Sequence, residues 1–466
     1  MKLQPLNILL ATILVAATFL FSCATGLAQQ LLVRGGFGTG TFSVGDSAFA
    51  YSNPTPANNT FVGWQGNAGL KDTFSVATKV RIASGANDIL ATYAPAPTWQ
   101  ETTDTLNGSK VIYFFPQGQI KGLILFYHGS NGNASSWFDK IENRLFLNYA
   151  VYKKYAVLAT ESRDRVTGGN RPYQWSNATT VNANPDIKNL DLILDTLVAR
   201  QLMARSTKVF GVGFSQGSGF GSIIAALKQH AGNALGATPG IAQVMAVTTS
   251  PTYWMASRQD LNADPQRLQK CYQNFATLSA RSIPTLLKVH EPFPITPNRF
   301  WKIPGIDSAA SVAIYNILKS NNLLDGRDFV NFNPDASTAW KNFLLPTFSN
   351  FADEIEDQVI IAYTEHKFHA DQMHDVIGFF DRFAATITSS KVKVQNKSQL
   401  ALWPNPSSGT VTMVAPQAGI AKIISADGSC KILDVVVGKH QYDFSTLPRG
   451  IYMLSFLGTC TRFVLQ

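Results

Sequence analysis

Residues 207–223, TKVFGVGFSQGSGFGSI, carry the strongest structural and chemical signal in the sequence. An apolar, β-branched run leads into residues 213–217, Gly-Phe-Ser-Gln-Gly, and an alanine- and isoleucine-rich helical pattern follows. This order predicts a strand, a sharp turn and a helix, with Ser215 on the turn. Because the glycines two residues before and after it let the backbone pass close to its neighbours, the serine hydroxyl can be presented to the outside. Ser215 is therefore a candidate nucleophile.

The length of the chain and its first residues indicate an exported protein with several domains. A chain of 466 residues exceeds what one hydrophobic core usually holds. Residues 1–28 predict a signal peptide, with Lys2, an apolar stretch over 8–21 and the small-residue cleavage site Gly-Leu-Ala at 26–28. No other segment is apolar over such a length, so we expect no membrane span after signal removal. The expected location is secreted or at the cell surface.

Charge and cysteine content exclude two other classes of protein. The formal net charge is +9, but lysine and arginine are scattered and form no basic run with interleaved aromatics, so no nucleic-acid partner is expected. Of four cysteines, Cys23 lies in the signal, which leaves too few for a disulfide scaffold. Cys430 and Cys460 could pair, whereas Cys271 is expected to be a buried apolar residue.

Residues 96–386 predict an α/β domain. Apolar runs typical of buried strands alternate with amphipathic helical patterns. The predicted strands are 111–115, 123–127, 156–160, 208–212, 242–248, 285–289 and 359–363, and the predicted helices include 187–203, 218–227, 309–320 and 371–385. Such alternation favours a mostly parallel sheet with helices on both faces. Ligands of these sheets bind at the carboxyl ends of the strands, where Ser215 is expected.

Two β-rich regions flank this domain. Residues 30–95 combine short alternating runs with turn residues and predict a small β-rich region, in which Trp64 is expected to pack in the core. Residues 387–398 form a polar linker, and residues 399–466 predict an all-β domain.

The C-terminal domain carries two specific motifs, Pro-Asn-Pro at 404–406 and Leu-Pro-Arg-Gly-Ile-Tyr at 447–452. On these motifs it resembles the C-terminal sorting domain of the type IX secretion system of Bacteroidetes. The resemblance implies export across the outer membrane through the secretion machinery, and it implies no catalytic residues here. The alternative is a carbohydrate-binding or other β-sandwich module.

A glycine-rich loop upstream of the serine adds a second motif. Residues 125–133, LFYHGSNGN, run from a predicted strand into this loop. Together with the turn at Ser215, the loop makes the central region resemble the α/β-hydrolase superfamily. The resemblance implies that the backbone amides of Gln216 and of Ser130 or Asn131 stabilise an oxyanion. His128 is expected to support the loop.

Residues 363–376, YTEHKFHADQMHDV, offer the base that a serine nucleophile needs. His366 lies just past the predicted strand, and its spacing to residues 375–376 and to the helix face at 379–380 is similar to that of the base in acyl-thioesterase-like hydrolases. His369 is the alternative, and His374 is expected on the following helix. The three histidines with Glu365 and Asp371 could instead bind a metal, but their spacing matches no zinc motif, so no metal is expected.

The resemblance implies an acid beyond the seventh strand of that family's sheet, which we identify with the predicted strand 285–289. The sequence departs from the family there, because the strand leads into a long aromatic and basic stretch. Asp307 is the favoured acid and Glu291 the second candidate. Asp307 could alternatively be only the N-cap of the next helix.

These expectations describe a secreted, carboxylesterase-like serine hydrolase that works through a Ser-His-acid triad and an acyl-enzyme intermediate. It would act on a small-molecule or polymer ester and need no metal or organic cofactor. The alternatives are a serine peptidase of the same fold, or a surface binding protein with a degenerate hydrolase domain. The sequence leaves the acyl group and the alcohol open.

Overall fold

The computed structural model describes residues 28–53, 59–95, 98–167, 173–261, 264–384, 401–415, 418–425, 429–456 and 459–466. The chain divides into two compact units, Met1–Thr386 and Ile387–Gln466. The predicted signal peptide at 1–28, apart from Ala28, and the predicted linker lie outside the described residues, as do the side chains of Cys430 and Cys460. Among the described residues, no helix combines the length and the apolar character needed to cross a membrane.

The first unit begins with a small β-sandwich. One sheet has the order β3-β1-β8-β5 and the other β2-β4-β7-β6. Their strands are β1 (Ala28–Arg34), β2 (Gly36–Phe37), β3 (Gly40–Ser43), β4 (Ser47–Ser52), β5 (Asn59–Gly66), β6 (Gly69–Leu70), β7 (Ala77–Arg81) and β8 (Asn87–Pro95). Trp64 is buried between the sheets and donates a hydrogen bond from Nε1 to the Ser75 carbonyl at 2.8 Å.

The central sheet has eight strands. They are β9 (Thr102–Leu106), β10 (Ser109–Phe114), β11 (Gly122–Tyr127), β12 (Tyr155–Thr160), β13 (Val209–Phe214), β14 (Gly232–Gly236), β15 (Thr252–Ser257) and β16 (Thr285–His290). Their order is β16-β15-β14-β13-β11-β12-β10-β9. Strand β10 runs antiparallel to both of its neighbours, β12 and β9, and all other pairs are parallel. This is the α/β-hydrolase arrangement, and β13, the strand that leads to Ser215, lies at its centre.

Helices cover both faces of this sheet. The helices of the first unit are α1 (Ser136–Asp139), α2 (Ile141–Tyr152), α3 (Arg163–Thr167), α4 (Pro185–Ala199), α5 (Gln216–Lys228), α6 (Ala242–Met245), α7 (Arg267–Ala280), α8 (Ser308–Ser320), α9 (Leu345–Phe348), α10 (Ala352–Tyr363) and α11 (Met373–Asp381), with 3-10 turns at Arg299–Lys302, Ala339–Phe343 and Ser349–Phe351. Of these, α8, α9 and α10 form a separate core with the segment after β16. One face of the sheet packs on α2 and α11, and the other packs on α4 and α5. Burial on both faces explains why the strands are apolar throughout.

Two predicted strands are helices. Residues 242–248 contain α6, and residues 359–363 form the end of α10. Both segments are rich in apolar residues, and such a short run cannot be assigned to a strand or a buried helix by periodicity alone. Conversely, β14 and β15 were not predicted. The error matters because the acid of the triad is expected after the seventh strand, and the missed strands change which strand is identified as the seventh.

The second unit contains two sheets around one core. The sheet orders are β17-β18-β21 and β20-β19-β22-β23. The strands are β17 (Ala401–Trp403), β18 (Thr410–Ala415), β19 (Gly419–Ser425), β20 (Cys430–Val435), β21 (Gly438–Asp443), β22 (Gly450–Phe456) and β23 (Thr459–Leu465). The unit is therefore an antiparallel β-sandwich, as the alternating sequence pattern predicts.

Candidate active site

Ser215 occupies a strained turn between β13 and α5. Its backbone has φ 54° and ψ −124°, a combination that non-glycine residues adopt only when the surrounding structure enforces it. The Ser215 amide donates to the Gly236 carbonyl at 2.9 Å, and the Thr238 hydroxyl donates to the Ser215 carbonyl at 2.9 Å. These bonds hold the turn, and the side chain stays partly exposed.

The two glycines that frame Ser215 are required by close backbone contacts. A Cβ on Gly213 would lie 2.6 Å from backbone atoms of Gly217 and Ser218. A Cβ on Gly217 would lie 2.3 Å from the Tyr127 carbonyl oxygen and 2.4 Å from that of His128. The spacing of the motif is thus explained by packing of the turn against the loop after β11.

The Ser215 hydroxyl lies against an imidazole, which in turn lies against a buried carboxylate. Oγ of Ser215 is 2.9 Å from Nε2 of His366. Nδ1 of the same ring is 2.9 Å from Oδ2 of Asp260 and 3.0 Å from Oδ1. Asp260 is 2% exposed and His366 is 27% exposed, so the carboxylate is shielded while the imidazole reaches the surface. This is the geometry of a Ser-His-Asp triad.

Arg267 at the start of α7 adds a cation to this arrangement. Its Nη1 forms an ion pair with Oδ1 of Asp260 and lies 2.6 Å from Nδ1 of His366. A base that takes a proton on Nε2 must carry its hydrogen on Nδ1 beforehand. In that tautomer His366 donates to Asp260, and the guanidinium donates to the carboxylate as well.

The predicted acids are corrected by the structure. Asp307 is the N-cap of α8, where its carboxylate accepts from the Ala310 amide at 2.7 Å. Glu291 forms an exposed ion pair with Arg258. The carboxylate beside His366 belongs to Asp260, in the loop after β15, which is the seventh strand of the sheet in chain order. The acid therefore does follow the seventh strand, as expected. The prediction failed because it identified the seventh strand with β16.

The other histidines of the region lie elsewhere. His369 is buried and stacks on His290, with ring centroids 3.9 Å apart. His374 lies in α11 and contacts the Phe61 carbonyl through Nε2 at 2.8 Å. The structure thus does not bring His366, His369 and His374 together into one metal centre.

His128 supports the loop after β11, as expected from the sequence. Its Nδ1 lies 2.7 Å from the Gly129 carbonyl, and its Nε2 accepts from the Ser162 amide at 3.2 Å. Burial lowers the pKa of His128 to about 4, so the ring is neutral at pH 7 and fits both bonds.

The backbone amides proposed for the oxyanion hole differ in their availability. The amide of Asn131 already donates to the Tyr173 carbonyl at 3.1 Å. Among the described residues, the amides of Gln216 and Ser130 have no such partner, and Gln216 is the first residue of α5, whose N-terminus favours negative charge. Gln216 and Ser130 are therefore the better-placed pair.

Trp175 ties these two loops together, a role that no sequence motif indicated. The Gln216 side chain donates to the Trp175 carbonyl at 2.7 Å and accepts from the Trp175 amide at 2.9 Å. The Trp175 indole donates to the His128 carbonyl at 2.9 Å. The turn and the glycine-rich loop are thereby held in one arrangement.

The histidine and acid loops are joined as well. The Gln259 amide donates to the Thr364 carbonyl at 3.0 Å; Gln259 immediately precedes Asp260, and Thr364 lies two residues before His366. Glu365, between Thr364 and His366, is buried and accepts from the His366 amide at 3.2 Å. Burial, together with the nearby Asp260 charge, raises the pKa of Glu365 to about 7.

A cleft of about 830 Å³ opens beside the triad. His366, Phe214, Gly129 and Ser130 all line it, so the base and one of the proposed oxyanion donors face the same space. This volume lies in the range of small-molecule sites.

Comparisons with known proteins found similar solved structures, but no matching protein-family model and no matching curated protein sequence. Similar solved structures include a carboxyl esterase from Bacillus coagulans (12% identity, 41% of this chain and 89% of that chain, TM-score 0.31) and an esterase from Pyrococcus furiosus (13% identity, 48% and 91%, TM-score 0.32). A third is an acylaminoacyl peptidase from Pyrococcus horikoshii (10% identity, 65% and 56%, TM-score 0.32).

The chain's own strand order defines its fold, with the serine turn at the end of the central strand. These two features give an α/β-hydrolase fold. Its candidate site consists of Ser215, His366 and Asp260, in the chain order serine, acid, histidine that belongs to this fold.

Proposed function

We propose that this protein is a secreted serine hydrolase that cleaves carboxylic esters. The observation that carries the proposal is the 2.9 Å contact between Ser215 Oγ and His366 Nε2 on a partly exposed turn. A serine hydroxyl is a weak nucleophile, and an adjacent imidazole that takes its proton makes it a competent one.

In the first half of the reaction, Ser215 Oγ attacks the ester carbonyl carbon and its proton passes to His366 Nε2. The carbonyl electron pair moves onto oxygen, which accepts hydrogen bonds from the amides of Gln216 and Ser130. Loss of one such donor typically costs about 10²–10³ in rate. The oxyanion then collapses, the bond to the alcohol oxygen breaks, and His366 gives its proton to the leaving alcohol.

In the second half, water attacks the acyl-enzyme. Its proton goes to His366 Nε2, a second oxyanion forms in the same position, and the bond from Ser215 Oγ to the acyl carbon breaks as the proton returns to Ser215. A free carboxylic acid leaves the site. Each step uses side chains and amides of this chain, and none requires a metal or an organic cofactor.

Asp260 orients the imidazole and stabilises its protonated form. Its carboxylate accepts from Nδ1, which leaves Nε2 free to take the serine proton. The ion pair with Arg267 offsets the cost of burying this carboxylate.

We extend the proposal to the route of export. The signal-peptide pattern at 1–28 and the sorting-domain motifs in the C-terminal unit support secretion through the type IX machinery. Secretion assays with a chain that ends at residue 386 would test this. Retention of the shortened chain inside the cell supports the proposal, and unchanged export contradicts it.

The hydrolase proposal is tested with a fluorophosphonate probe and two types of substrate. The full chain should be labelled on the peptide that contains Ser215, and Ser215→Ala should lose both labelling and hydrolysis of 4-nitrophenyl esters. Parallel assays on peptide anilides distinguish an esterase from a peptidase. Hydrolysis by Ser215→Ala at the full rate would refute the mechanism.

A further inference from the structure

A second cavity, of about 350 Å³, lies between the N-terminal sandwich and the segment after β16. Its lining includes Tyr51 of β4, Arg299 and Trp301 of the 3-10 turn, and Asp371. Among the described lining residues, Glu142 alone also lines the cleft beside Ser215. The cavity is thus a separate compartment that adjoins the cleft.

Three buried polar side chains around this cavity carry atoms without a hydrogen-bond partner among the described residues, although Asp371 Oδ2 lies 3.6 Å from Nε2 of His290 and the Arg299 guanidinium lies over the Phe293 ring. These atoms are the Tyr51 hydroxyl, Nε and Nη2 of Arg299, and Oδ2 of Asp371. Tyr51 is 5% exposed, Arg299 7% and Asp371 2%. Buried polar groups in folded proteins are almost always hydrogen-bonded. Donors and an acceptor with unmet hydrogen bonds, in residues that line one cavity, favour a ligand that both accepts and donates.

The charges of the cavity favour a neutral ligand. Lys302 and Glu142 form an ion pair at 2.8 Å, and Arg299 and Asp371 contribute one further charge of each sign. Asp371 also lies near His290 and His369, and one ligand atom from each lies within 4.8 Å of the others. The Arg299 cation interacts electrostatically with all three of these side chains, and it therefore opposes a divalent cation there.

Trp301 provides an exposed aromatic surface in this cavity. Its side chain lines the cavity and stays 41% exposed, so a flat apolar surface is open to a ligand. An aromatic ring beside an arginine, a carboxylate and a phenol matches a sugar ring, since the C–H face of the sugar packs on the indole while its hydroxyls donate and accept.

We propose that this cavity binds an uncharged sugar ring, and that this sugar belongs to the ester substrate cleaved at Ser215. The second half of the proposal rests on the proposed function, whereas the binding of sugar does not. The substrate class would then be an esterified polysaccharide or oligosaccharide, with the sugar in this cavity and the ester in the adjoining cleft.

Binding is measured first, by calorimetry on the full chain carrying Ser215→Ala. The probes are gluco-, xylo-, manno- and galacto-oligosaccharides of six units. At least one should bind, and adding Trp301→Ala should weaken it about tenfold or more, as for an aromatic anchor. Tyr51→Phe removes only an unpaired hydroxyl, so it should fold normally and also weaken binding.

Phe343→Ala is the matched control, because Phe343 is 47% exposed on the segment after β16 and lines neither cavity. Its affinity for the same oligosaccharide should equal that of the parent. Absence of binding by all four probes, or equal binding by the parent, Trp301→Ala and Tyr51→Phe, would overturn the sugar site.

The link to catalysis is measured second, in chains that keep Ser215. Trp301→Ala should lower kcat/KM for the acetylated form of the bound oligosaccharide about tenfold relative to that for 4-nitrophenyl acetate, and Phe343→Ala should leave this ratio unchanged. An unchanged ratio in Trp301→Ala would refute the link. If the hydrolase proposal itself fails, neither ester is cleaved at Ser215, while the calorimetric result still stands.

Discussion

Asp260 and His366 lie 106 residues apart in the chain, yet Oδ2 of the acid is 2.9 Å from Nδ1 of the base. We predict that Asp260→Asn lowers kcat on 4-nitrophenyl acetate by about 10³–10⁴, because an amide can donate to Nδ1 and so favours the tautomer that cannot take the serine proton. Steady-state assays of the purified variant provide the measurement. A loss of less than tenfold would contradict the role of Asp260.

The matched control concerns the acid that the sequence favoured. Asp307→Ala removes the N-cap of α8 and should lower the free energy of unfolding by about 1 kcal/mol. Because Asp307 does not contact His366, kcat should stay within about twofold of the parent below the unfolding transition. Urea unfolding and ester assays on the same preparation test both halves, and an Asp307 variant as inactive as Asp260→Asn would reverse the assignment.

The serine turn could be predicted from sequence because its recognisable pattern lies within residues 207–223. Gly213 is required by contacts within the turn, whereas Gly217 is required by the distant carbonyls at 127 and 128, and only the spacing of the motif indicates it in the sequence. The strand before and the helix after it also follow from short-range patterns. His366 was predicted for the wrong structural reason, because a helix, not a strand, precedes it.

The acid could not be located because its position depends on counting strands. Residues 252–257, TYWMAS, form β15, but no strand was predicted there. Without β15, the strand identified as the seventh is β16, and the choice falls on Asp307. Arg267 and Trp175 were missed for a different reason. Their roles depend on contacts between residues about 40 to 100 positions apart, which no local pattern encodes.

Two glycines in α5, Gly217 and Gly219, allow the effect of tight packing on stability to be distinguished from the effect of helix propensity. We predict that Gly217→Ala strongly impairs the enzyme, because the new Cβ would lie 2.3 Å from the Tyr127 carbonyl oxygen and must push the loop after β11 away from the serine. The cost in unfolding free energy should be about 1–3 kcal/mol. Ester assays and urea unfolding measure both effects.

Gly219→Ala is the control for that variant, since the nearest atom to its Cβ would be Ile241 Cδ1 at 3.9 Å. Alanine is the better helix former, so Gly219→Ala should raise the free energy of unfolding by about 0.5–1 kcal/mol and keep activity. Equal behaviour of the two variants would contradict the packing argument.

Glu365 should make stability depend on pH. Its pKa rises from 4.5 to about 7 in the folded protein, through burial and the Asp260 charge. Between these values the unfolded chain has released a proton that the folded chain retains, so the free energy of unfolding falls as pH rises and levels off above pH 7. Glu365→Gln lacks this loss and should gain about 1–3 kcal/mol over the parent between pH 4.5 and pH 8. Glu291→Gln, which changes an exposed carboxylate with a lowered pKa, should show no such divergence. Urea unfolding across this range decides, and parallel curves for the parent and Glu365→Gln would refute the prediction.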